Sequence, residues 1–235
     1  MTESSNPLAQ IKGTVVLAGA GKMGGALLTG WLAQGLDPAR VAIIDPHVSD
    51  EIRALAAKGV RLNPAPSKIG QADALVLAVK PQMFHDAAAT LKSFVQPATL
   101  VASIMAGTTI SAIRGACGGN VVRAMPNTPA AIGRGITVAV PDKSVGAGQR
   151  AIADALLAAT GKIEWLDDEA LMDAVTAVSG SGPAYVFLLA EELARAGVAA
   201  GLPAGLAAKL ARETVAGSGE LLYRSDLDAA TLRQN

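Results

Sequence analysis

The chain has 235 residues, 20 acidic and 20 basic side chains and no run of Lys or Arg, so it lacks the basic footprint of a nucleic-acid-binding protein. Hydrophobic residues make up 51% and aromatic ones only 3%; the core must therefore be built from Ala, Val, Leu and Ile, which suits parallel strands under close-packed helices. One cysteine, Cys117, excludes an intrachain disulfide framework and a multi-cysteine metal site, and no metal is expected.

Met1–Gln10 is polar, with Ser4, Ser5, Asn6 and Pro7, and lacks the apolar stretch of an export signal. No apolar run reaches the roughly 18 residues needed to span a bilayer. The expectation is a soluble, cytoplasmic protein without membrane or nucleic-acid partners.

From Gly13 onward, short β-branched runs alternate with Ala/Leu-rich segments of helical period. The runs are Val15–Leu17, Val41–Ile44, Ala74–Val79, Thr99–Ala102, Val121–Val122 and Ile136–Val140. Helices are predicted near 22–34, 49–58, 81–92, 109–115 and 146–159. Such alternation predicts an α/β fold with an N-terminal Rossmann-type, doubly wound and mostly parallel sheet. Cys117, beside Gly118 and Gly119, reads as a small core or loop residue.

The first strand runs directly into Gly19-Ala20-Gly21-Lys22-Met23-Gly24, a G-x-G-x-x-G with a strand before it and a helix after. In such a loop Gly19 permits the tight turn, Gly21 lets a pyrophosphate approach the backbone, and Gly24 lets the helix pack on the strand. The helix start adds unpaired N–H groups and a positive dipole end. Asp45 closes the second strand, where a carboxylate accepts hydrogen bonds from the adenosine ribose and favours NADH over NADPH. The bland alternative for Asp45 is a turn residue before Pro46, and His47 reads as a solvated loop histidine.

Ligands of open α/β sheets bind beyond strand C-terminal ends. Ala78-Val79-Lys80-Pro81 should therefore border the cofactor, with Pro81 in the first turn of the next helix. Met105 and Ala106, in Ser103–Gly107, should line the same crevice. Arg123-Ala124-Met125-Pro126-Asn127-Thr128-Pro129 reads as a stiff loop following Val121-Val122, with Asn127 and Thr128 as candidate cofactor or substrate contacts; the bland alternative is a rigid turn.

After Trp165 the pattern becomes helical throughout, near 168–178, 183–200, 204–223 and 228–233. Asp167, Asp168 and Glu169 suit a helix start. The division is expected near residue 165, giving a dinucleotide-binding domain over 1–165 and a smaller all-helical domain over 166–235. Within the latter, Ser179-Gly180-Ser181-Gly182-Pro183-Ala184-Tyr185 interrupts two helical stretches. Backbone N–H groups and serine hydroxyls at such a helix start suit a carboxylate; the bland alternative is a simple interhelical break.

Gly19–Gly24, Val79-Lys80-Pro81-Gln82, Arg123–Pro129 and Asp173–Tyr185 together resemble the pyrroline-5-carboxylate reductase family, in that family's order and over nearly the whole chain. The resemblance implies NADH- or NADPH-dependent reduction of 1-pyrroline-5-carboxylate to L-proline, the last step of proline synthesis. It also implies a helical domain that interlocks with a partner subunit in a homodimer or an assembly of dimers. Ser179, Gly180, Ser181, Gly182 and Pro183 would hold the substrate. Two departures stand out. Asp45-Pro46 replaces the Ser or Asn, often with a nearby Arg, that accompanies the family's common use of NADPH. Ala229–Asn235 resembles the lead-in to a Ser-Pro-Gly-Gly-Thr segment of the family's substrate site, and the sequence stops at Asn235. Either a tail follows outside this sequence or the segment is missing; the second case would impair catalysis.

No catalytic side chain is identified: His47 and His85 lie outside the matched motifs. A related reductase of 3-hydroxy acids or ketopantoate would need a C-terminal-domain lysine, and Lys209 reads as a helix-surface residue. A catalytically silent dinucleotide-binding protein is the alternative from another class.

Overall fold

The computed structural model describes residues 7–69 and 72–234. Most of the polar N-terminal stretch noted above, Met1–Asn6, lies outside the described residues. In chain order come β1 (Thr14–Ala18), α1 (Lys22–Ala33), β2 (Val41–Ile44), α2 (Asp50–Ala54), β3 (Arg61–Leu62) and β4 (Ala72–Leu77). There follow α3 (Pro81–Lys92), β5 (Leu100–Ser103), α4 (Ile110–Cys117), β6 (Asn120–Met125), β7 (Gly135–Pro141), α5 (Ala147–Leu157) and β8 (Gly161–Trp165).

Among the described residues these strands make one sheet in the order β3-β2-β1-β4-β5-β6-β7-β8. Its first six positions follow the doubly wound dinucleotide-binding order, which reverses direction between β1 and β4. Every adjacent pair is parallel except β6 and β7, where Arg123 faces Val140 in antiparallel register. The predicted α/β class and the mostly parallel sheet are both present.

β1 is buried along its whole length because both faces of the sheet are covered. Its side chains alternate: Val15 and Leu17 enter a core with Leu27, Leu28, Trp31 and Leu156, while Val16 and Ala18 enter one with Phe84, Leu91 and Ile113. Trp31 is fully buried and donates its indole N–H to the Leu156 carbonyl at 2.7 Å. Gly30 lies so close to Ala159 that a Cβ there would meet its carbonyl oxygen at 2.5 Å. Residues at 30–31 and 156–159 thus lock α1 to the far end of α5.

Three details depart from the sequence expectations. β6 extends through Arg123 to Met125, so the stiff loop begins at Pro126 and not at Arg123. β3 and β8 were not anticipated. β8 alternates half-buried Ile163 and Trp165 with exposed Lys162 and Glu164, as an edge strand can.

The chain forms two compact units, one ending at Gly180 and the other beginning at Ser181. The change to helical sequence at Trp165 comes earlier because the following segment is tied into the first unit. Asp168 caps a short 3-10 turn over Glu169–Leu171 by accepting the Ala170 N–H at 2.9 Å. The Glu169 carboxylate accepts both the Ile110 N–H at 2.8 Å and the buried Arg123 guanidinium at 2.9 Å. A four-residue helix, α6 (Met172–Val175), then widens into a π turn over Thr176–Gly180, so the continuous helix predicted near 168–178 is in fact three unlike turns.

The second unit contains α7 (Gly182–Ala199), α8 (Ala204–Arg224) and α9 (Ala229–Gln234), with no strand among its described residues. α7 is terminated by Gly201, whose φ of +99° suits the left-handed position after the cap, and the Leu202 N–H returns to the Gly197 carbonyl at 3.0 Å. Gly197 allows α8 to approach, since a Cβ there would sit 3.1 Å from the Ala207 Cβ. No helix among the described residues is long and apolar enough to cross a membrane.

Candidate active site

The glycine loop leaves β1 at the point where the strand order reverses, and each glycine meets a different demand. Gly19 has φ +89°, and a Cβ there would approach the Ala78 carbonyl oxygen to 2.7 Å. Gly24 packs under the loop, where a Cβ would stand 2.1 Å from the Gly19 carbonyl oxygen. Around Gly21 the space is open, with no atom within 4 Å of where a Cβ would be. That opening is what a pyrophosphate requires to reach the backbone. Gly21 caps α1 without a side-chain bond, and the first helical bond runs from the Gly25 N–H to the Gly21 carbonyl at 2.7 Å. The N–H groups of Lys22, Met23 and Gly24 therefore precede the helical ladder, the arrangement by which helix N-termini take anions. A cavity of about 760 Å³ reaches this loop at Ala20, Gly21 and Lys22 but continues along α1 past Thr29 and Gly30, so only its loop end concerns a phosphate.

Asp45 stands at the end of β2, half-buried, with its carboxylate turned to the loop. One oxygen accepts the Ala20 N–H at 2.7 Å and the other the His47 N–H at 2.8 Å. A carboxylate has about four acceptor positions, so two bonds leave it able to accept ribose hydroxyls. His47 itself is exposed. Asn63, which no sequence motif marks, exchanges two hydrogen bonds with the backbone of Asp45. Its only local signal is an Asn before Pro64 at the end of a very short strand.

The β4 end closes the other side of the reversal. The Ala78 N–H bonds to the Ala18 carbonyl at 2.8 Å, and Val79 leads into exposed Lys80, which caps α3 with Pro81 in its first turn. Beyond β5, the Met105 side chain is buried in the core and Ala106 is exposed. Asn127 accepts the Ile136 N–H at 3.0 Å through its side-chain oxygen, which fixes the loop, and Thr128 is exposed.

Met125 leads into this loop and lies against Gly180, where a Cβ would meet its methyl carbon at 2.6 Å. The loop and the end of the π turn are therefore neighbours, which no sequence spacing discloses. In the π turn Thr176 donates its hydroxyl to the Met172 carbonyl and Ser179 donates to that of Val175. Such widened turns recur at functional sites. Ser181 caps α7 without a side-chain bond, and Pro183 sits in the first turn. No cluster of three metal-ligating side chains occurs among the described residues. Burial pushes the Cys117 thiol up from its ordinary value, against a smaller opposing pull from Lys92. His85 and Lys209 are exposed.

A doubly wound sheet, a three-glycine loop at its reversal point and a carboxylate closing β2 define a Rossmann-type dinucleotide-binding protein. Comparison with known proteins narrows the class. A family model described as pyrroline-5-carboxylate reductase dimerisation matches residues 169–235, and one described as NADP oxidoreductase, coenzyme F420-dependent, matches residues 14–107. The chain is 38% identical to pyrroline-5-carboxylate reductase of Pseudomonas aeruginosa, over 94% of this chain and 82% of that protein. It is also 38% identical to the Synechocystis enzyme, over 92% and 82% respectively. Among solved structures, the Coxiella burnetii pyrroline-5-carboxylate reductase superposes with a TM-score of 0.84 at 30% identity, covering 94% of this chain and 84% of that one. The Plasmodium falciparum enzyme, solved with NADP bound, gives 0.76 at 28% identity, covering 95% and 84%. The chain belongs to the pyrroline-5-carboxylate reductase family.

Proposed function

We propose that this protein reduces 1-pyrroline-5-carboxylate to L-proline at the expense of NADH or NADPH. The observation that carries the reading is the match to pyrroline-5-carboxylate reductases along nearly the whole chain, at 38% identity. The glycine loop and Asp45 support it on the side of the cofactor.

In this reading residues 1–165 serve the dinucleotide and 166–235 serve substrate and subunit association. The N–H groups after Gly21 hold the pyrophosphate, Asp45 holds the adenosine ribose, and Ala78–Pro81, Met105, Ala106 and Asn127 border the cofactor. When bound, the nicotinamide supplies the hydride that reduces the imine carbon. Backbone N–H groups over Ser179–Gly182 take the substrate carboxylate, with Pro183 stiffening that stretch and Asn127 and Thr128 adding polar contacts. Rate acceleration comes chiefly from positioning, and an already protonated imine needs no acid from the protein.

Purified protein given the imine and either cofactor should oxidise the cofactor, followed by its absorbance, with NADH the better of the two because Asp45 repels a 2′-phosphate. Cofactor binding without turnover in folded protein would instead favour the silent dinucleotide-binding alternative.

We further propose that a second copy of the chain covers the helical unit, in a homodimer or an assembly of dimers. α7 has no buried residue, while Tyr185, Phe187 and Leu189 are 59%, 66% and 53% exposed. Two long helices and a short one cannot bury so much apolar surface among themselves. The family's dimerisation model covers the same residues. Phe187→Asp should weaken self-association about 100-fold, read by light scattering as a lower mass at micromolar protein. An unchanged mass would place the contact elsewhere.

A further inference from the structure

Asn63 is the single non-glycine residue with positive φ among the described residues, at +45°. A side chain held there carries a backbone cost, and such residues persist where surrounding bonds over-determine them. Those bonds are present. The Asn63 N–H donates to the Ile43 carbonyl at 2.7 Å, which fixes its backbone to β2. Its side-chain oxygen accepts the Asp45 N–H at 2.9 Å, and its side-chain nitrogen donates to the Asp45 carbonyl at 2.9 Å. An exposed amide thus grips both polar groups of one residue's backbone, across eighteen positions of sequence.

The gripped residue is the one whose carboxylate meets the glycine loop at the Ala20 N–H. β2 ends at Ile44, so beyond it no strand pairing holds Asp45. Asn63 supplies the missing pairing with its side chain, and it does so from the position just after β3. Asparagine suits this role because it combines one acceptor, two donors and tolerance of positive φ. The two Asp45 carboxylate bonds, to Ala20 and His47, cannot by themselves fix the Asp45 peptide, since both leave from the side chain.

We propose that Asn63 is a positioning residue for cofactor choice: by clamping the Asp45 backbone it holds the Asp45 carboxylate where it accepts the ribose hydroxyls of NADH and excludes a 2′-phosphate. This rests on the reading of Asp45 given above. The clamp does not touch the reacting atoms, so its loss moves cofactor affinity and preference and leaves substrate affinity alone.

The test uses three variants of the full chain, with affinities for NADH and NADPH measured by calorimetry in the absence of substrate and KM values measured in parallel. Asn63→Gly removes both side-chain bonds and relieves the positive φ, so the fold survives it. It should weaken NADH binding about five- to tenfold, the low end of the worth of two hydrogen bonds because both are exposed, while NADPH binding is unchanged or tighter. KM for pyrroline-5-carboxylate should not move. Asn63→Asp keeps the acceptor for the Asp45 N–H and should fall between parent and glycine variant. Asp45→Ser probes the reading beneath the proposal and should reverse the preference toward NADPH. A reversal by Asp45→Ser together with an unchanged preference in Asn63→Gly would overturn the clamp alone. If Asp45→Ser changes nothing, the role of Asp45 fails and the clamp falls with it.

Discussion

Gly24→Ala should cost about 100-fold in kcat/KM and a comparable factor in cofactor affinity. The added Cβ would stand 2.1 Å from the Gly19 carbonyl oxygen and 3.2 Å from the Ala78 Cβ, both parts of the rigid frame around the loop. Neither is the far end of a flexible side chain, so α1 or the loop must shift by about 1 Å, a misplacement that typically costs two orders of magnitude. Gly25→Ala is the matched control. Its Cβ would meet only the Ala20 carbonyl oxygen at 3.6 Å, an ordinary contact, and alanine is the better helix former. Calorimetric titration with NADH separates the two, and equal affinities for both variants would refute this account of the loop.

The largest expected loss of stability follows Trp31→Ala. The indole is fully buried and bonded to the Leu156 carbonyl, so its removal leaves both a cavity and a buried carbonyl without its donor. Truncating a buried tryptophan costs about 3–5 kcal/mol, and the orphaned carbonyl adds about 1 kcal/mol. For a unit of this size the melting temperature should drop by roughly 10–15 °C in a circular dichroism melt. Trp31→Phe keeps most of the volume but not the donor, and should lose about 1–3 kcal/mol. A melting temperature within a degree or two of the parent for the alanine variant would show that α5 is not anchored through this side chain.

Much of the architecture can be read from the sequence because its signals are local. The β-branched runs at Val15–Leu17 and Val41–Ile44 and the glycine loop need only their immediate neighbours to be interpreted. The helix at 81–92 agrees with its sequence signals because Pro81 and the Ala-rich interior mark both type and start. What escaped depends on distant partners. Arg123 looks like a loop residue because a lone arginine is costly inside a sheet; it is tolerated there only because Glu169 supplies a carboxylate. β8 hides because Lys162 and Glu164 interrupt its apolar residues, and β3 because two residues carry no period. At the site, Asp45 stands out from its place after a strand, whereas the Asn63 bonds to its backbone cannot be read, since they exist only once β3 has paired with β2. The π turn before Ser181 likewise replaces an ordinary helix end that residue types alone suggested.

The bond between Trp31 and Leu156 spans 125 positions, and it sets an order of events during synthesis. The nucleotide-binding loop and its helix emerge from the ribosome early, yet the Trp31 indole finds its acceptor only after α5 has followed. At roughly 5–20 residues per second, that leaves an interval of several seconds or more in which this bond is missing. The helix that carries the earliest recognisable signature is thus completed by a residue made much later, and a nascent chain stalled before Leu156 lacks the acceptor for the Trp31 indole.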